Sequence, residues 1–188
     1  DFSIKMYIDV TGWEGGALLL RNGLHKRDIR LESKQPYAVA IGTHSYKRID
    51  LTYEVFQKLK EDLDLNKLLI VGDSKRIPLA IRTAVDVQVE DFLPEAVLLS
   101  SLKRASYFIS TSEVENSSCA ILEGLQYTQK AILSKIPSHL EMLRSNSGKH
   151  FQHQGKGYLI VNHNDVRDGA MVEWSNEIGE MLLRMGFS

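Results

Sequence analysis

Two carboxylates, Glu115 and Glu123, stand eight positions apart in the run STSEVENSSCAILEGLQ (110–126). Small polar residues separate them, followed by an apolar stretch with helical spacing. Ser117 or Ser118 is a natural N-cap for that helix, which puts Glu115 in the preceding loop and Glu123 on the second turn. Backbone N–H groups of a first helical turn lack intrahelical acceptors, so those near Ser118, Cys119 and Ala120 can face an anion or sugar oxygens. A carboxylate accepts two hydroxyl hydrogen bonds at once. Acids on either side of a helix start therefore suit a ligand with a diol at each end and phosphate between, the layout of a nucleotide sugar. The plainer alternative is a surface loop acid and a solvated helix residue.

A second cluster, THSYKRIDL, follows the apolar run YAVAIG. Thr43, His44 and Ser45 occupy its turn, and Lys47 and Arg48 precede a helix expected to start near Asp50, its N-cap. Two cations beside a helix N-terminus oppose the macrodipole unless an anion lies between them, which makes a phosphate site physically sensible. The alternative is a solvated basic turn. Lys75 and Arg76 in GDSKRIP, and GKG at Gly155–Gly157, lack the glycine spacing of a nucleotide-binding loop and read as exposed turns. Cys119 reads as a small packing residue rather than a reactive thiolate. His150, His153 and His163 lack the spacing of a zinc site, and Trp13 and Trp174 read as packing residues.

The elements that must position these residues alternate in type. YAVAIG, KLLIVGD, Val87 to Val89, YFIST, KAILS and GYLIV are short apolar runs with strand character. Between them DLTYEVFQKLKEDL, Pro94 to Arg104, the acid-flanked segment and SHLEMLR have helical spacing. Strands buried on both faces and separated by helices imply an α/β domain, a Rossmann-like doubly wound parallel sheet. Ligands of such sheets bind beyond the carboxyl ends of the strands, where loops run into helices. The domain is expected over residues 36–188 with a closing helix at about 167–185, and residues 1–35 read as a linker or edge segment before it.

Composition narrows the function. The 188 residues, 43% hydrophobic and 25% charged, suit one globular domain. A net charge of -1 gives no global field for nucleic acid or an anionic membrane. One cysteine excludes an internal disulfide and a cysteine-based zinc site and is consistent with a reducing compartment. No apolar run is long enough to span a bilayer. The opening DFSIKMYIDV does not read as a signal peptide, and the chain is expected to be a piece of a longer protein.

Three segments carry a resemblance in the same order: IGTHSYKRIDLTYEVFQKLKEDLDLNKLLIVGD, LPEAVLLSSLKRASYFISTSEVENSSCAILEGL and KAILSKIPSHLEML. Together they resemble the C-terminal, donor-binding half of the retaining GT-B glycosyltransferases that carry an E-x7-E motif, the group 1 or family 4 type. LLRNGLH is similar to the Asn-Gly segment that precedes this domain in the family. The resemblance implies that Glu123 binds the ribose diol, that Glu115 contacts hydroxyls of the transferred sugar near the reacting carbon, and that Lys47, with Arg48 beside it, holds the diphosphate. It further places Thr43, His44, Asn116, Ser117 and Ser118 among the substrate-binding positions. It implies one half of a GT-B fold, no metal or other cofactor, and a nucleoside-diphosphate sugar as donor substrate. The acceptor would be a glycan, a lipid-linked or another molecule held by an N-terminal domain of the same enzyme. The implied setting is polysaccharide biosynthesis in the cytoplasm, with a peripheral place at the inner face of the membrane through that missing half, and the fragment alone is expected to be inactive. Two departures stand out. Thr43 occupies a position where the family usually has Arg, and Asn116, Ser117, Ser118 and Cys119 replace a glycine-rich run. A non-catalytic GT-B-like scaffold and a sugar-nucleotide epimerase half-domain are the alternatives.

Overall fold

A computed structural model of the chain describes residue 12 and residues 33–115, 118–128, 130–143 and 149–162. Its centre is a seven-stranded sheet in the order β3-β2-β1-β4-β5-β7-β6. The strands are β1 (Gln35–Ile41), β2 (Lys67–Val71), β3 (Val87–Glu90), β4 (Ala105–Ser110), β5 (Lys130–Ser134), β6 (Lys149–His153) and β7 (Lys156–Asn162). The helices are α1 (Ile49–Leu59), α2 (Leu79–Arg82), α3 (Glu95–Arg104), α4 (Cys119–Tyr127) and α5 (Pro137–Glu141). Of the segment expected at 1–35, residues 12 and 33–35 are described, Gln35 opening β1; the rest of it and the helix expected at 167–185 lie outside the described residues.

The apolar runs make a sheet whose centre is buried on both faces because β1, β2, β4, β5 and β7 split their side chains between two cores. Val39, Leu69, Phe108, Ala131 and Leu133 face one core with Leu102 of α3 and Ile121, Leu122 and Leu125 of α4. Their neighbours Ala38, Ala40, Leu68, Ile70, Ile109 and Ile132 face the other, with Val55, Phe56 and Leu59 of α1 and Ile81 of α2. Removing each such Leu, Ile or Phe from water contributes about 1.5–3 kcal/mol, so neither helical layer can leave without exposing one side of these strands.

β3, β2, β1, β4 and β5 pair in parallel, as the alternating pattern predicts. The last two strands do not. β7 runs antiparallel to β5, and β6 runs antiparallel to β7, so the sheet is mixed rather than wholly parallel. GYLIV was expected as a final parallel strand, and KHFQH was not expected as a strand at all. Its burial pattern, exposed except for the partly buried Phe151 and His153, explains why. An edge strand wetted on one side carries no continuous apolar run. The hairpin is held against α1 from outside, where Lys58 Nζ donates to the Gln152 carbonyl (3.2 Å) and Gln154 Nε2 donates to Glu54 (2.7 Å).

The order 3-2-1-4-5 reverses direction between β1 and β4. The chain leaves β1 toward α1 on one face and leaves β4 toward α4 on the other. Diverging connections open a crevice beyond the carboxyl ends of these two central strands. Both acid-and-base clusters of the sequence lie there.

Candidate functional site

The loop after β1 turns at Gly42, whose φ of +91° suits a residue without Cβ. Its N–H donates to the Val71 carbonyl (2.8 Å), tying the ends of β1 and β2 together. A Cβ on Gly72 would meet Thr43 Cγ2 at 2.9 Å, so the two loops touch. Thr43 is buried, and its Oγ1 donates to the Asp73 carbonyl (3.1 Å). Its hydroxyl is thus engaged between loops. His44 is exposed and stacks on Tyr46, ring centroids 5.7 Å apart.

Arg48, not Asp50, occupies the N-cap position of α1, with a left-handed backbone (φ 51°) and no capping side-chain bond. The hydroxyl of Thr111, just after β4, holds this helix start through its carbonyls instead. Thr52 Oγ1 and Thr111 Oγ1 lie 2.7 Å apart, and Thr111 Oγ1 lies 2.8 Å from the Arg48 carbonyl and 3.1 Å from that of Lys47. The basic loop is therefore bolted to the end of β4 and held beside the acidic one. Asp50, displaced into the first turn, accepts from Arg48 (Nη2 to Oδ2 2.7 Å), and Glu113 takes the other side of the guanidinium. The Arg48 hydrogen bond holds the Asp50 carboxyl below its ordinary range. Lys156 also donates to Glu113, and that bond, then Arg48, pulls the Glu113 carboxyl down. The anion required beside this cationic helix start is thus supplied partly by the chain itself.

Lys47 makes the central contact. Its ammonium pairs with Glu115, and its Nζ lies 3.4 Å from Ser118 Oγ. The side chains of Lys47 and Glu115 are 10% and 8% exposed, so this is a nearly closed ion pair rather than a solvated one. The plainer alternatives, Glu115 as a surface loop acid and the basic turn as wholly solvated, do not hold for Lys47 and Glu115. Ser112 Oγ donates to Glu115 Oε1 (2.8 Å), and Ser134 Oγ, at the end of β5, donates to the Ser112 carbonyl (2.6 Å). His139 of α5 completes the series. Its Nδ1 donates to the Ser134 carbonyl (2.8 Å), which can only accept.

Ser118 is the N-cap of α4 and is buried, but its side chain makes no capping bond; its hydroxyl turns toward Lys47 instead. Glu123 is half-buried on α4, one turn in from that cap. The helix reaches this position because Gly124 lets it settle on the sheet: a Cβ there would meet the Phe108 ring at 2.4 Å. Asn116 and Ser117 lie outside the described residues. Cys119, expected as packing, is exposed because it sits at the first helical position on the outer side.

Lys75 and Arg76 are exposed turn residues as expected, Arg76 pairing with Asp73 (3.2 Å). Among the described residues no cluster of metal-ligating side chains exists; His153 faces Glu54 (3.2 Å), and His163 is outside them. No helix among the described residues is long and apolar enough to cross a membrane.

Thr52, Thr111, Ser112, Ser134 and His139 were not foreseen in this site. Each is a small polar or imidazole side chain inside or beside an apolar run, and Ser and Thr in such places commonly bond only to nearby backbone. The one usable signal was position, since Thr111, Ser112 and Ser134 all follow or end strands that stop at the same edge.

Set against known families, residues 23–170 match the model described as "Glycosyl transferases group 1". No curated protein matches the sequence.

Proposed function

Since the chain belongs to the group 1 glycosyl transferases, we propose that its crevice binds the diphosphate and sugar of a nucleoside-diphosphate sugar for retaining transfer. The single observation carrying this reading is the meeting of Lys47, Glu115 and Ser118 at the reversal point between β1 and β4. A diphosphate arriving beside the start of α4 competes with Glu115 for the Lys47 ammonium. Exchange of one anion for another keeps the cation neutralised and releases Glu115, still held by Ser112, to accept from sugar hydroxyls. Lys47 then offsets the charge that grows on the departing diphosphate, and the N–H groups at the start of α4 add their dipole. In this reading the chain's own groups do that work without a resident metal, and the donor is a substrate rather than a cofactor. Glu123, one turn further along α4, takes the ribose diol. Arg48 contributes field more than direct contact, because Asp50 and Glu113 already hold it. An N-terminal domain would supply the acceptor and close the cleft.

A second reading is favoured by the same ion pair. A cation and an anion that satisfy each other can serve simply to join two loops of a scaffold. Calorimetric titration of the chain with UDP, GDP, ADP and their sugars separates the two. One nucleoside diphosphate should bind, and Glu123→Ala should weaken it by about 1–3 kcal/mol, the loss of a charged hydrogen bond. Absence of heat with every nucleotide supports the scaffold.

A further inference from the structure

His139 is fully buried at the edge of the crevice, in the segment that follows β5. Its ring has a defined polarity. Nδ1 carries the proton, because its partner at 2.8 Å is the Ser134 carbonyl. Nε2 is consequently a bare acceptor, and it is buried with no hydrogen-bond partner. The adjacent Ser138 Oγ is likewise buried without one. A buried acceptor left unmatched is unfavourable, and a ligand hydroxyl is a group that can supply the missing donor.

The location says which ligand. His139 reaches Glu115 through two hydroxyl links, Ser134 Oγ to the Ser112 carbonyl and Ser112 Oγ to the Glu115 carboxylate. It is close enough to the Lys47–Glu115 pair for both charges to act on the imidazole. Burial outweighs the Glu115 charge and keeps the ring neutral to about pH 4, so the acceptor persists at any ordinary pH. A neutral acceptor beside the end of the site that Glu115 occupies matches a hydroxyl, not a phosphate, which has nothing to donate when ionised.

We propose that His139 Nε2 accepts a hydrogen bond from a hydroxyl of the transferred sugar, which makes His139 a specificity-determining residue of the donor site. The inference rests on the donor-site reading above. Nε2 is buried in the free chain, and in this proposal the parting of Lys47 from Glu115 that diphosphate drives opens the way to it. A sugar lacking a hydroxyl there, or presenting it on the other face, leaves the nitrogen unmatched and is rejected.

The test compares nucleoside diphosphates with their hexose derivatives on the whole chain by calorimetry. His139→Asn keeps an N–H near the Nδ1 position for the Ser134 carbonyl and removes the second nitrogen. His139→Gln places an amide at the Nε2 position, where its oxygen can accept. The Asn variant should bind the nucleoside diphosphate as the parent does and the hexose derivative about tenfold more weakly, and the Gln variant should recover much of that. In the parent chain with 15N-labelled histidine, the Nε2 resonance should move upfield, as a nitrogen accepting a hydrogen bond does, on adding the nucleotide sugar, and by clearly more than the nucleoside diphosphate alone moves it. That measurement stands even if the Asn variant does not fold. Equal loss for both ligands, no loss for either, or a resonance that the nucleotide sugar moves no further than the diphosphate does overturns the role of His139 while leaving the donor site intact. Failure of every nucleotide to bind the parent chain overturns the donor-site reading, and this one with it.

Discussion

Neutralising Lys47 and Glu115 one at a time should harm the fold more than neutralising both. Most ion pairs between exposed side chains contribute about 0–1 kcal/mol. Here the partners are only 10% and 8% exposed, and among the described residues Ser112 donates to Glu115 while Ser118 Oγ and the Tyr46 ring lie near the Lys47 ammonium. Lys47→Met leaves a nearly buried carboxylate with one hydroxyl donor. Glu115→Gln leaves a nearly buried ammonium beside Ser118. Each should cost about 3–5 kcal/mol, because most of the loss is the stranded charge rather than the attraction itself. The double variant strands neither, so urea unfolding should show a coupling energy of about 2 kcal/mol or more. A second measurement ties the pair to function. A nucleoside diphosphate at about 100 times its Kd should stabilise the parent chain by about 2.7 kcal/mol and should do nothing for either variant that lacks Lys47. Losses that add within about 0.5 kcal/mol would refute the claim that these residues form one closed pair.

Two further perturbations test the frame around that pair. Gly124→Ala should destabilise the chain by about 1–3 kcal/mol in urea, although alanine is the better helix former by about 1 kcal/mol, because the added methyl meets the buried Phe108 ring at 2.4 Å. A neutral or stabilising substitution would mean that α4 can lift off β4 freely. Acid should weaken the fold through His139, whose imidazole burial holds down from 6.5 to about 4. The unfolded chain binds a proton in this interval and the folded chain does not, so stability rises with pH there. The contribution is complete above pH 6.5 and lost as pH falls to about 4, a difference of about 3 kcal/mol at about 1.4 kcal/mol per pH unit. His139→Gln cannot titrate, so its stability relative to the parent should improve by about that amount between pH 7 and pH 4, read as urea midpoints at each pH.

Residues that bury on two faces announced the fold, and residues that bury on one did not. Tyr37–Ala40 and Leu68–Val71 are continuous apolar runs because helices cover both sides of the sheet centre. From such runs, parallel pairing and a crevice at the strand ends follow almost by exclusion. β6 has neither property. Among the described residues its one strand partner is β7, its sequence KHFQH offers a single Phe, and the pairing that creates it depends on the turn at Gln154–Gly155 rather than on any periodicity of its own. An antiparallel addition to a parallel sheet is a tertiary event, set by where the chain happens to return.

The site divides along the same line. Charged residues in loops at the ends of apolar strands are conspicuous, and Lys47, Glu115 and Glu123 were readable because hydrophobic runs on either side mark where they must lie. What sequence could not supply was pairing. Lys47 and Glu115 are 68 residues apart in the chain, and nothing local says that one answers the other. Arg48 shows the consequence. By type and position it promised a free phosphate contact, yet Asp50 and Glu113 engage it, one from its own helix and one from the neighbouring loop. The count of cations near a helix start therefore overstates the charge open to a ligand; what matters is which of them can exchange its internal anion for an external one. Lys47 is the better placed of the two. In the proposed exchange its one carboxylate keeps the Ser112 hydroxyl and takes up sugar hydroxyls as the cation turns to phosphate, whereas Arg48 would abandon two carboxylates at once.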